Sequence, residues 1–514
     1  MSERPGPSLP GNSTQLAAVA VATALLFALA AWYVRPWLHG LVYVLYTTPV
    51  FVLALLVAGA IAAVGLRRAG VSATLNVLGP VVVALFVGGA MLSGLVAGAT
   101  LGTQTMDDVR TVDGLDASDP ENPRIVTRAV ADRYASNTLN FPQYRITGSD
   151  VTVYNDTLHW SYALSPDGLY NHFTKRQHGT VMVDMTEQNT EIKTFEGDLT
   201  KGIGTAHYNN YKWALLKRGE YLVDYQDPFM VVHEGEQHIA VPYTKPNFHF
   251  APLPHTTPEW GGVALVDSDG TITDLSPAEA RESEVLGDQR LYPFDLARQR
   301  VAATKYRNGI LNTFTAHEDE IEVAPVPGEG NEQPFLLRTE EGPEYVVAVE
   351  PYGEAQGLRE IWTVDGRTGE YERYAPNQSL FGPRKAADYV RQAARTTDWD
   401  RFDPSEPIPV VVDDRLYWQV RVVPSDNSGI SYIAFVDAQT SDVTEVETTP
   451  QVVAFMEGRQ PRPGDGAGDE GAGEARRPQM IVQRVAPNGT VLSEMEVYGN
   501  ESVRIQRGNA TAAP

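Results

Sequence analysis

Three long apolar runs constrain this chain more than any other feature. Leu16–Val34, Leu38–Leu66 and Val71–Leu101 contain no Asp, Glu, Lys or Arg. Each approaches or exceeds the roughly 20 residues that cross the hydrocarbon core of a bilayer. Arg35-Pro36-Trp37-Leu38-His39-Gly40 separates the first two runs, and Leu66-Arg67-Arg68-Ala69-Gly70 separates the last two. A cleaved signal peptide does not fit the first run, because its leader carries one Glu and one Arg and two more spans follow.

The Arg67–Arg68 pair is the densest positive charge near the spans, and the positive-inside rule puts it in the cytoplasm. Residues 103–514 are then expected outside the cell membrane, as a multi-pass protein with a cytoplasmic leader at 1–14. Asn-x-Ser/Thr sequons at Asn155, Asn377, Asn488, Asn500 and Asn509 suit an exterior, glycosylated location. Trp32, Tyr33 and Trp37 suit a membrane interface. Ala90, Gly94 and Gly98 recur every four residues on the third span, a pattern that lets helices approach closely, either within the chain or in a homo-oligomer. A transporter is not expected, since ion translocation usually needs a charged residue within the spans.

The exterior part is strongly acidic. The formal charge is −24, and only 8 of the 41 basic residues are lysine. Such a surface stays hydrated in concentrated salt, so a halophilic archaeal origin is expected. Nucleic acid is not an expected partner, because phosphate binding needs a basic face. No cysteine is present, which excludes disulfides, thiolate nucleophiles and cysteine metal sites.

Beyond a polar linker at 103–119, helical and strand patterns alternate. Helices are expected from Asp119-Pro120 onward and over Ala206–Lys217, Pro293–Arg307 and Arg384–Thr396. Each is followed by strand patterns in antiparallel order. One phrase recurs at the ends of such strands: Val183-Asp184, Val266-Asp267, Val364-Asp365-Gly366 and Val436-Asp437. Asp and Gly suit tight turns. The expected fold is therefore α+β: three transmembrane helices at 15–102, then repeated helix-plus-meander units at 103–200, 201–283, 284–380 and 381–456. A disordered linker at 457–479 and a hairpin with a tail at 480–514 complete the chain, the hairpin turning at Asn488-Gly489.

The third and fourth units resemble PepSY-type domains. The matching residues are an alanine-rich helix, the strand Tyr417-Trp418-Gln419-Val420-Arg421-Val422, and the turns Val364-Asp365-Gly366-Arg367-Thr368-Gly369 and Val436-Asp437-Ala438-Gln439-Thr440-Ser441. Ser441 stands where the pattern has glycine. The resemblance implies a non-catalytic exterior module that binds partners or restrains peptidases.

Chemistry-bearing motifs are few. Eight of the ten histidines lie between His159 and His255. His233, His238, His249 and His255 are weak metal-ligand candidates, since His233 and His238 miss the helical i, i+4 spacing of a zinc site. Asp267-Ser268-Asp269-Gly270 lacks the twelfth-position glutamate of a calcium loop. Trp260, beside Gly261 and Gly262, suggests a contact surface. No nucleophile elbow, phosphate loop or dinucleotide fingerprint occurs. The expectation is a membrane-anchored, non-catalytic binding or scaffold protein. It has no cofactor, and its partners are membrane lipid and a protein or cell-envelope component. The alternatives are a metal-dependent exterior enzyme and a subunit of a larger membrane complex.

Overall fold

The computed structural model describes residues 13–68, 71–188, 190–328, 332–339, 341–394, 396–461, 480–485 and 491–497. Helices α1 (Ser13–Thr47), α2 (Val50–Arg68) and α3 (Val71–Asp108) are all long and apolar enough to cross a membrane. The expected break at Arg35–Gly40 does not occur, because α1 runs through it to Thr47 and the chain turns at Thr48-Pro49 instead. Pro36 has no N–H to donate to the carbonyl four residues earlier, that of Trp32. Lys217 Nζ from the body donates to that carbonyl, so the helix continues past the proline with no bare acceptor. The expected linker after residue 102 is likewise corrected. Helix α3 continues to Asp108, held to the body by Arg300, which donates to Thr105 Oγ1 at 3.1 Å and pairs with Asp108. Strand β1 (Arg110–Val112) then follows at once.

Four sheets make the body. Helix α4 (Arg128–Asn137), capped by Thr127, precedes the first. It starts later than the Asp119-Pro120 signal suggested, because Thr127 supplies the side-chain oxygen that accepts the Val130 N–H. The first sheet is the meander β2 (Tyr144–Tyr154), β3 (Thr157–Pro166), β4 (Gln177–Asp184) and β5 (Ile192–Leu199), with the short helix α5 (Leu169–Thr174) between β3 and β4. The second sheet follows α6 (Tyr211–Arg218). It holds β6 (Asp224–Tyr225), β7 (Phe229–His233), β8 (Glu236–His249), β9 (His255–Asp267) and β10 (Ile272–Leu275), in the order β10-β9-β8-β6 with β7 also on β8. Helix α7 (Pro277–Glu282) starts at Ser276 with a capping box closed by Glu279.

Helix α8 (Phe294–Ala303), a 3-10 segment (Thr304–Asn308) and α9 (Asn312–Thr315) lead to the third sheet. Its strands are β11 (Ile321–Val323), β12 (Phe335–Thr339), β13 (Gly342–Pro351), β15 (Glu360–Asp365) and β16 (Tyr371–Tyr374), while β14 (Gly357–Leu358) and β17 (Leu380–Phe381) form a separate ribbon. Strand β1 joins β16 in parallel, stitching the chain leaving the membrane into this sheet. Helix α10 (Pro383–Ala393) precedes the fourth sheet, the meander β18 (Phe402–Val412), β19 (Arg415–Pro424), β20 (Tyr432–Asp437) and β21 (Val443–Val446), which α11 (Thr449–Met456) closes. Residues Met1–Pro463 form one compact unit and Gly464–Pro514 a second. In the second, β22 (Met480–Val485) pairs with β23 (Val491–Val497) as the sequence suggested. The 462–479 stretch, Asn488, Asn500 and Asn509 lie outside the described residues. Asn155 and Asn377 are exposed.

Alternation along β13 explains how the sheets share cores. Tyr345, Val347 and Val349 point into a cluster that also holds Trp160 of the first sheet and Phe435 of the fourth. Val346 and Ala348 point the other way, into a cluster with Ala386 and Val390 of α10 and Trp418 of β19. Side chains two apart share a face of a strand, so one strand serves two cores. The four marker aspartates each end a strand: Asp184, Asp267, Asp365 and Asp437. Asp365 Oδ1 accepts from the N–H groups of Arg367 and Thr368, and Asp437 Oδ1 from those of Gln439 and Thr440. They are turn residues.

Candidate functional site

Two β-bulges aim carboxylates into one cavity. In β2 the register shifts between Thr147 and Asp150, across Gly148 at φ +63°. In β18 it shifts between Ser405 and Ile408, across Glu406 at φ +46°. A bulge bends its strand and re-aims a side chain. A non-glycine residue at positive φ is uncommon, and the residue before a proline is further biased toward extended backbone. Glu406 precedes Pro407 and is 1% exposed, so the surrounding structure holds it in a costly conformation. Strain of this kind clusters at functional sites.

The cavity measures about 430 Å³, within the range of small-molecule sites. All four sheets line it: Asp150 and Trp160 from the first, Gln226, Asp227 and Pro242 from the second, Phe335 and Tyr345 from the third, and Glu406 from the fourth. Arg124, Arg128, Ser149, Arg290, Asp295 and Glu332 complete its polar lining. Five carboxylates thus face three guanidiniums.

The deep wall is a network of buried ion pairs. Arg290 pairs with Asp150, and its Nε donates to Val151 O at 3.1 Å. Burial raises the Asp150 carboxyl above its ordinary range, and the Arg290 charge offsets part of that rise. Arg124 lies 3.5 Å from Glu406 and is held between the Trp160 and Phe335 rings, at 5.3 and 5.2 Å from their centroids. Glu406 Oε1 accepts the Arg128 N–H at 3.1 Å, and Arg128 Nε donates to Ser149 Oγ at 2.8 Å, so one residue ties the two bulges together. Behind the wall, Arg421 donates to Glu406 O and Ile125 O. Burial lowers its guanidinium to about 9, with Glu406 opposing the shift and Arg124 adding to it. Among the described residues, Glu406 Oε2 and Arg124 Nε are buried with no hydrogen-bond partner.

The mouth differs. Asp227, Asp295 and Glu332 are exposed there. Asp295, at the start of α8, is raised above the ordinary range by desolvation and then by the charge of Asp227. The site thus sets an upward-shifted carboxyl near its opening and a buried, arginine-paired carboxylate at its base.

The histidine candidates do not come together. His238 sits near the start of β8 and His249 at its end, eleven residues and about 36 Å apart along an extended strand. His233 pairs across the β7–β8 hairpin with Glu236. His238 Nδ1 bonds Asp267 Oδ1 at 2.8 Å. His249 and His255 stack on each other, and their nitrogens go to Thr257, Leu253 O and Thr100. Among the described residues no His, Asp or Glu cluster has metal-site geometry. The metal-enzyme alternative is corrected accordingly. Trp260 packs edge-on against Tyr292 and donates to Gly262 O, which makes it a core contact. Of the small residues on α3, Gly98 lies under the Tyr306 ring of the body, Gly94 has nothing within 4 Å, and Ala90 is half-buried.

No family model matches the sequence, and no curated protein does. Three solved structures match at low identity. A protein described as a candidate glycosidase from Bacteroides thetaiotaomicron is 10% identical over 59% of this chain and 72% of its own, with a TM-score of 0.18. The GH43_1 enzyme from Xanthomonas citri, complexed with xylotriose, is 12% identical over 62% and 92%, with a TM-score of 0.19. A glycosyl hydrolase from Bacteroides ovatus is 11% identical over 66% and 81%, with a TM-score of 0.18. TM-scores this low do not establish a shared fold. The expectation of a non-catalytic binding or scaffold protein is nonetheless corrected. The cavity gathers acid–base groups that the absence of a sequence motif had hidden.

Proposed function

We propose that the body binds a small hydroxyl-rich molecule in the four-sheet cavity and cleaves it by general acid–base catalysis. The observation that carries this reading is Glu406: buried, held at positive φ on a bulge, and paired with Arg124 in a cavity that also holds Asp150 and Asp295. An excess of carboxylates over guanidiniums disfavours an anionic ligand and suits neutral polyols. Asp295 is assigned as the proton donor in this scheme, because its carboxyl lies in the cavity lining with partial desolvation and the Asp227 charge both shifting it upward. Glu406 is the acceptor, oriented by the Arg128 N–H and by Arg124. Paired carboxylates with unequal environments are the chemistry that cleaves glycosidic bonds.

The test is turnover of a panel of 4-nitrophenyl glycosides by the full chain in detergent. Asp295→Asn should lower kcat/KM on the responding substrate by about 100-fold or more, the usual share of a general acid. Asp295 is exposed, so the variant should melt like the parent. No turnover by the parent, together with no thermal shift from mono- or disaccharides, would sink the reading. We also place the body outside the cell, because Arg67 and Arg68 end α2 on the side of the spans expected to face the cytoplasm.

A further inference from the structure

We propose that the face of the body surrounding the three helices is itself a membrane-binding surface, dipping into the headgroup layer of the leaflet it emerges from. Helix α1 fixes the level of that face. Between Trp37 and Tyr46 its one side packs on the body: His39 Nε2 bonds Val223 O at 3.1 Å, and the Tyr46 ring meets Phe248 at 5.1 Å. Over the same stretch Leu38, Leu41, Val44 and Leu45 are exposed. A helix apolar on its free side needs lipid there, so the body's adjoining surface lies at membrane level.

Three parts of the body ring the helices at this level. The β8–β9 tip lies between α1 and α3, where Thr256 donates to Thr47 O at 2.7 Å and Ser93 donates to Pro254 O at 3.1 Å. Its Phe250 is 75% exposed. Beside α1, α5 exposes Leu169 and Tyr170, while its Phe173 meets His207, which in turn packs on Trp37. Beside α3, the residues around α9 expose Leu311 and Phe314, next to the 3-10 segment whose Tyr306 covers Gly98. Outside the helices, nine large apolar side chains are exposed among the described residues. Seven of them lie in these three parts or beside Tyr221, whose hydroxyl bonds Arg35 O of α1, and an eighth, Tyr208, follows His207 in the chain. Chance would scatter them over the body, and a patch this concentrated marks an interaction surface.

Charge selects lipid as the occupant. The chain carries −24 overall, yet four of its eight lysines, Lys175, Lys201, Lys212 and Lys217, lie in or near α5 and α6. Lys217 stands 3.7 Å over the Trp32 ring, and Lys201 donates to Tyr208 O. Amphipathic lysine and aromatic side chains at one level are the composition of a bilayer interface.

The chain has no cysteine, so single labels report cleanly. Tyr170→Cys, Phe250→Cys and Phe314→Cys, each labelled with a polarity-sensitive fluorophore, are compared with Ser428→Cys, an exposed position in the loop between β19 and β20. The full chain is reconstituted at one copy per nanodisc in phosphatidylcholine and phosphatidylglycerol. Brominated lipids should quench the first three labels at least two-fold, while iodide should quench only the label at 428. Because the replaced side chains are exposed, folding should survive; Leu169→Cys and Leu311→Cys replace any variant that does not melt like the parent. Equal iodide quenching at all four positions overturns the proposal. So does shielding that appears only with two copies per disc, which would assign the face to a protein partner.

Discussion

Replacing Glu406 tests the buried network directly. Its carboxylate lies 3.5 Å from Arg124, and its backbone carbonyl accepts from Arg421, both guanidiniums being buried. Glu406→Gln keeps the shape and an amide oxygen for the Arg128 N–H, and removes the charge. Breaking a buried ion pair from one side costs about 3–5 kcal/mol, so Gln should sit near 3 kcal/mol. Glu406→Ala also loses the hydrogen bond, adding about 1 kcal/mol. Glu406→Gly should recover about 1 kcal/mol relative to Ala, because only glycine adopts φ +46° without cost. The order of stability should therefore be parent, Gln, Gly, Ala. Thermal unfolding of the full chain, followed by tryptophan fluorescence, reads each comparison. A Gln variant melting within a degree of the parent, or Ala matching Gly, would refute the account of a charge held in strained backbone.

Two further outcomes follow from single positions. Glu344 is raised to about 7, chiefly by burial. Its stabilising contribution is present below pH 4.5 and lost as the pH rises through about 7, so Glu344→Gln should melt above the parent at pH 8.5 and not at pH 4.5. An equal shift at both values would contradict this. On α3, a Cβ at Gly98 would stand 2.7 Å from the Tyr306 ring, whereas Gly94 has open space. Gly98→Val should cost about 1–3 kcal/mol by overpacking, and Gly94→Val less than about 0.5 kcal/mol in the monomer. Melting curves that rank them the other way would show that α3 does not dock on the body through Gly98.

The elements legible in the sequence were those written in local patterns. Hydropathy alone marked three spans, and the Val-Asp turns marked strand ends, because both depend on neighbours in sequence. The errors fall where a distant group intervenes. Pro36 looked like a helix boundary because its missing partner, Lys217, lies 181 positions away. Residues 103–108 looked like a linker because Arg300, which holds them, belongs to α8. The histidines looked like a cluster because they crowd a short segment, but an extended strand separates residues as efficiently as a helix gathers them.

The cavity was invisible for a related reason: its ion-paired wall is assembled from segments far apart in sequence. Arg124, Asp150, Arg290 and Glu406 come from four separate stretches. In a composition rich in Asp and Glu, no single carboxylate stands out. A usable signal was nonetheless present. Gly148-Ser149-Asp150 and Ser405-Glu406-Pro407 each put a strand-breaking residue inside a strand pattern, beside an acid. Glycine and proline in strand interiors mark bulges, and bulges gather at active sites. That criterion separates Asp150 and Glu406 from the many acids that merely keep the surface hydrated. It works because a bulge is costly to maintain, so the side chain it re-aims is where the fold spends its strain.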